Sequence, residues 1–201
     1  MVGYRITALP TSSLSLPRLF GQKDLVVDNA HYGVQVGQKL CNVSGGSISQ
    51  TRAILRGVEY FFTTDDKGAA CRIYQDGSVE FEQGTASSSE VYIGWIIANL
   101  IRVAKTLNNV RCLGGLPDLE YSVEIEFSKN SLLTGALVIR DWEILFGDSR
   151  WELAAVPLKL PLLSFGPSTE IDSFLTQSHT DIFDACGANR SHPIQITIVG
   201  T

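Results

Sequence analysis

With 201 residues, 44% hydrophobic and 18% charged, the chain has the make-up of a folded globular protein and is too apolar to be disordered as a whole. A net charge of −5 and a pI near 5.2 argue against the basic surface of a general nucleic-acid binder. The charge is uneven: residues 1–115 carry 11 Lys/Arg against 9 Asp/Glu, and residues 116–201 carry 5 against 12. One domain over 1–201 is expected, with 1–115 and 116–201 as its sub-parts. Cys41, Cys71, Cys112 and Cys186 are dispersed without a CxxC pair, as expected of reduced, mostly buried thiols in a cytoplasmic protein.

Tyr4–Leu9 reads as a strand closed by Pro10, and a chain that starts inside a sheet suggests a domain excised from a longer one. Leu25–Val27 and Gly33–Val36 read as short strands around the turn residues Asp28 and Asn29. Ser47 or Ser49 fits the cap of a short helical turn through Leu55 that ends at Gly57, and a strand over Arg52–Arg56 is the alternative. Val58–Thr63, Ala70–Tyr74 and Ser78–Glu82 form a meander. A three-residue loop Gln75-Asp76-Gly77 sets Ile73 against Val79, Cys71 against Phe81 and Arg72 against Glu80. A two-residue loop would turn the apolar set to water.

Ser88–Leu107 is the stretch around which the rest is organised. Ser87, Ser88 and Ser89 are candidate caps, Glu90 falls in the first turn, and Arg102 and Lys105 fall in the last turns. The segment is apolar almost all round, which predicts a central helix buried against sheet. Its apolar run stops at Arg102, short of the ~20 residues a bilayer needs, so no membrane span is expected. Leu113–Pro117 breaks the chain. Tyr121, Val123, Ile125 and Phe127 alternate with Glu120, Ser122, Glu124 and Glu126, the pattern of an antiparallel strand with one wet face. Ala136–Arg140 and Trp142–Phe146 should continue that sheet, and Pro157 and Pro161 confine Val156–Leu162 to an edge. Ser168 or Thr169 should cap a second, amphipathic helix ended by Gly187, on which His179 is half-exposed. Ile194–Ile198 gives a last strand. The class is α+β: a largely antiparallel sheet of many short strands around one central buried helix.

Few residues suggest chemistry. Gly147-Asp148-Ser149 after Ile144-Leu145-Phe146 resembles the nucleophile block of GDSL-type esterases, but no Asp-x-x-His follows, since Asn189 stands three before His192. His31, His179 and His192 are too far apart to suggest a metal set, and no phosphate-cradle or other cofactor motif is present. His31 beside Tyr32 is a site candidate, alone or as a dyad with Cys41 or Cys71. The polar line Asn99–Arg102–Thr106 on the central helix is the strongest feature. Arg72, Arg102 and Lys105 with Trp95 would suit a small anionic ligand.

The segment Cys71–Phe81, CRIYQDGSVEF, resembles one in the C-terminal half of bacterial Schlafen-type (AlbA-like) DNA-binding proteins, and Phe183–Gly187, FDACG, is similar to a helix end there. The resemblance implies an accessory domain that follows a nucleic-acid-binding module. Together these features predict a non-catalytic binding or interaction domain of a cytoplasmic bacterial protein. Its expected partner is a protein or a second copy, without direct contact to nucleic acid. A small hydrolase using Ser149 or a cysteine is the alternative.

Overall fold

Two extended apolar-lined strands decide the layout, because both must bury one face. A computed structural model describes residues 2–22, 24–64, 67–85, 90–128, 138–140, 150–152, 157–185 and 195–199. The strands are β1 (Val2–Pro10), β2 (His31–Val36), β3 (Lys39–Ser44), β4 (Ser47–Ile54), β5 (Gly57–Thr64), β6 (Lys67–Tyr74), β7 (Val79–Thr85) and β8 (Glu90–Tyr92). Helix α1 (Ile93–Gly114) follows, then β9 (Tyr121–Ser128), β10 (Val138–Arg140), β11 (Arg150–Glu152), β12 (Leu158–Lys159) and β13 (Leu163–Phe165). Helix α2 (Ile171–Ala185) and β14 (Ile196–Val199) complete the described elements.

An eight-stranded sheet runs in the order β12-β9-β1-β7-β6-β5-β4, with β13 also on the outer edge of β9. The alternation in β1 and β9 makes them antiparallel neighbours, Ile6 opposite Ile125 and Ala8 opposite Val123. So β1 sits in the middle of the sheet, and residues 121–128 join the first sub-part to the second. The β6–β7 hairpin has the register expected from Gly77, with Ile73 opposite Val79 and Arg72 opposite Glu80. Gly77 takes φ +82°, the left-handed conformation that this three-residue loop requires.

One face of the sheet is core. Ile6, Phe81, Cys71, Ile73, Val58, Val123 and Ile125 are all at most 1% exposed, and α1 packs over them. The opposite side of α1 meets β3 of a second sheet, β14-β2-β3, and helix α2. The helix is therefore enclosed between layers, with Ile96, Ile97, Leu100, Ile101 and Ala104 buried all round it. The α+β class, the central helix and the second helix stand as expected. No helix among the described residues is long and apolar enough to cross a membrane.

Several local expectations change. Helix α1 starts at Ile93 and not at Ser88, because Val91 and Tyr92 pair in β8 with β10. Tyr92 is the N-cap without a side-chain cap bond, no acid lies in the first turn, and the candidate caps Ser87–Ser89 lie outside the described residues. The helix also runs past Leu107 to Gly114, so Arg111, and neither Arg102 nor Lys105, lies in its last turn. Gly115 closes it at φ +63°. Ser47–Ile54 is a strand and not a helical turn, since it pairs with β5 from Ser47 to Ile54, interrupted only by a bulge between Ile48 and Gln50. Leu25–Val27 is irregular chain with Leu25 and Val26 buried, instead of a strand. Strand β10 leaves the main sheet for a small one with β8 and β11. His179 is buried at 2% exposure and stacks beside Phe183, 4.4 Å between ring centroids. Ser149, His192, Cys186, Gly187, Ile194 and Trp142–Phe146 lie outside the described residues.

Candidate functional site

The predicted site residues do not converge. Arg102 is fully buried, with its guanidinium spread over backbone oxygens: Nε donates to Val27 O (3.1 Å), Nη1 to Gly45 O (2.7 Å) and Nη2 to Gly46 O (2.5 Å). Nη1 also donates to Asn99 Oδ1 (2.9 Å), and the guanidinium lies 3.9 Å over the Phe62 ring. Asn99 in turn donates to Tyr4 Oη and Gln83 Oε1, both at 2.8 Å, and Tyr4 donates to Gln83 Oε1 (2.9 Å). Burial lowers the Arg102 pKa and raises that of Tyr4. The polar line of α1 is thus a cross-brace that ties two loops to the sheet, and little of its hydrogen-bonding capacity remains for an anion.

Arg72 lies on the other side of the sheet. Lys105 is held 4.9 Å above the Tyr32 ring, Trp95 is half-buried edge-on to Tyr92, and His31 is exposed on β2. His31 pairs with Ser44 on the outward face while Cys41 points to the core opposite Val34, so that dyad does not form. Cys71 lies in the core, where burial pushes its thiol up to about 12, the opposite of an activated nucleophile.

The feature that sequence reasoning missed is the outer face of the eight-stranded sheet. Since side chains alternate, the residues turned away from α1 can be read strand by strand from the register. One cross-strand row runs Gly3, Gly84, Gly68, Thr63. The next runs Glu126, Arg5, Glu82, Ala70, Phe61, Gln50. A third runs Glu124, Thr7, Glu80, Arg72, Glu59, Arg52. Neither described helix packs on this face. The three aligned glycines leave a concavity of about 400 Å³ floored by backbone, with Arg5, Glu82, Arg72 and Phe61 around it. Only the pairing register brings Gly3, Gly68 and Gly84 together, so no local pattern announces the trough.

Charge on this face is already organised. Arg72 donates from Nε to Glu59 (2.7 Å), from Nη1 to Glu80 (2.6 Å) and from Nη2 to Glu82 (3.1 Å). Arg52 donates to the other Glu59 oxygen and stacks 4.6 Å over Phe61, so Glu59 is 1% exposed and doubly paired. The carboxylates raise the Arg72 pKa, first through the Glu82 hydrogen bond, and that same bond lowers the pKa of Glu82. A depressed carboxyl pKa gives stability that is present above the unfolded value and lost as pH falls through the folded one. Unfolding free energy is therefore expected to decline as pH drops below the ordinary value of 4.5. In Arg72→Gln that decline is expected to be shallower; matched urea titrations at several pH values check this.

Among the described residues no group of three or more His, Cys, Asp or Glu side chains could hold a metal ion. Compared with known protein families, curated proteins and solved structures, the chain matches none.

Proposed function

We propose that this chain is a non-catalytic binding domain that recognises a protein partner, or a second copy of itself, on the outer face of its eight-stranded sheet. One observation carries the reading: among the described residues, helix packs on one face only of the eight-stranded sheet, and the other face holds a glycine-floored trough beside pre-paired charges. Charges fixed in mutual ion pairs offer register to a partner without the cost of ordering free side chains. The trough admits close approach of a ring or backbone from the partner, because no Cβ stands in the way. Among the described residues, Cys71 and Cys112 carry no disulfide, which suits a reducing compartment such as the cytoplasm. The association with a bacterial nucleic-acid-binding module rests on the two resembling segments, the first of which is the β6–β7 hairpin and the second of which falls, as far as Ala185, in the last turn of α2.

Gly68→Trp tests the reading. A Cβ built on Gly68 meets nothing within 4 Å, so the indole fills the trough without disturbing the sheet. Light scattering on the eluting protein and affinity capture from lysate, run on wild type and variant together, are expected to show an association that Gly68→Trp weakens tenfold or more, about 1.4 kcal/mol. Identical oligomeric state and identical captured partners in the two proteins would refute it.

A further inference from the structure

The two ends of the eight-stranded sheet are built differently. At one end, β9 is covered by the short strands β12 and β13, between which Pro161 interrupts pairing and before which Pro157 stands. Short strands and prolines are how sheets prevent further strand addition. At the other end, β4 runs for eight residues without proline, glycine or lysine, and no described strand pairs with its outer edge. Its one irregularity is a bulge between Ile48 and Gln50. Beyond it, Gln50–Ile54 pair regularly with Phe61–Gly57 around the two-residue turn Leu55-Arg56.

That turn fixes which backbone groups are free. In a hairpin closed by two residues the flanking pair, Ile54 and Gly57, exchanges hydrogen bonds, and the pairs alternate from there. Arg52 and Glu59 form the next bonded pair, so Thr51 and Ala53 turn their N–H and C=O groups to the open edge. Side chains at 51–53 are exposed, and Thr51 and Ala53 continue the core-side rows of Tyr60 and Val58.

The chemistry of the missing strand follows from the charges. Across β7, β6, β5 and β4 one row alternates in sign: Glu80, Arg72, Glu59, Arg52. Each neighbouring pair is an ion pair, and the row ends on a half-exposed cation at the open edge. A fifth strand continues the alternation only with an acid opposite Arg52, since a base there would oppose a like charge. We infer that β4 is a strand-addition edge that accepts an extended polypeptide segment carrying a carboxylate side chain opposite Arg52. The flanking core-side positions of that segment, beside Thr51 and Ala53, suit β-branched apolar residues. This rests on the binding-domain reading above and names the class of partner.

The test uses the full chain and two capped peptides, Thr-Val-Glu-Val-Thr and Thr-Val-Lys-Val-Thr, followed by amide NMR. The glutamate peptide is expected to shift amides of 50–54 and to bind about three- to tenfold tighter than the lysine peptide, the size of a cross-strand charge contrast. Arg52→Glu should reverse that order. Ala53→Pro, which deletes an outward N–H at an edge, should abolish binding of both peptides while the spectrum stays that of the folded chain. Absence of shifts along β4, equal affinity for the two peptides, or an order unchanged by Arg52→Glu each overturns the inference. Because the peptides address the edge and Gly68→Trp addresses the trough, failure here leaves the outcome at the outer face separately readable.

Discussion

Replacing Arg102 by methionine is expected to remove about 3–5 kcal/mol of folding stability, read as a lower urea midpoint by circular dichroism. The side chain is fully buried, and its donors satisfy the carbonyls of Val27, Gly45 and Gly46 together with Asn99 Oδ1. Methionine keeps much of the volume but leaves Val27 O, Gly45 O and Asn99 Oδ1 without the donor they have here, each at a cost of about 1–3 kcal/mol, while Gly46 O keeps only the long bond from Ala30 N–H (3.4 Å). Relief from holding a desolvated cation offsets part of this. Arg102→Lys should recover little, since an ammonium cannot reproduce the planar fork over three carbonyls and the Phe62 ring. Gly45→Ala strikes the same brace, because its Cβ would lie 2.5 Å from Asn99 Oδ1 and 3.1 Å from Arg102 Nη1. The two changes should not add, since each removes what the other depends on. A loss under about 1 kcal/mol in Arg102→Met would mean that water takes over the carbonyls and the loops are not held by this residue.

A contrast between Gly3→Ala and Gly68→Ala is the second large effect. Both glycines lie in the same cross-strand row, yet a Cβ on Gly3 would stand 2.1 Å from Gln83 O, whereas one on Gly68 meets nothing within 4 Å. The neighbour at Gly3 is backbone of a central strand and cannot rotate away. Gly3→Ala should cost about 2–3 kcal/mol through forced displacement of β1 from β7. Gly68→Ala should be neutral or stabilising by up to about 1 kcal/mol, because it lowers the entropy of the unfolded chain. Equal effects at the two positions would place the close approach elsewhere than the β1–β7 pair. Thermal melts of the two variants beside the wild type suffice to decide it.

The difference between these glycines marks the boundary of what sequence determines here. Tyr121–Phe127 alternates so regularly that its core face could be read directly, and Gln75-Asp76-Gly77 dictated the register of the hairpin down to Arg72 opposite Glu80. The nearly all-round apolar circumference of Ile93–Leu107 likewise required a helix enclosed on most sides. These are local signals, set by the period of the side chains and by the residue type that takes positive φ at least cost. Where the helix begins was not local: Val91 and Tyr92 are drawn into β8 by strand β10, whose residues pair with them from 48 positions further along the chain. Nor was the role of Arg102, whose partners are carbonyls of distant loops and carry no side-chain signature in sequence. The trough and the alternating charge row exist only once β1, β7, β6, β5 and β4 lie side by side in register. Sequence fixes which face of each strand is apolar, because that is a property of the strand alone. Tertiary structure decides which polar residues stand beside one another on the remaining face, since that depends on strand order and register across the whole sheet.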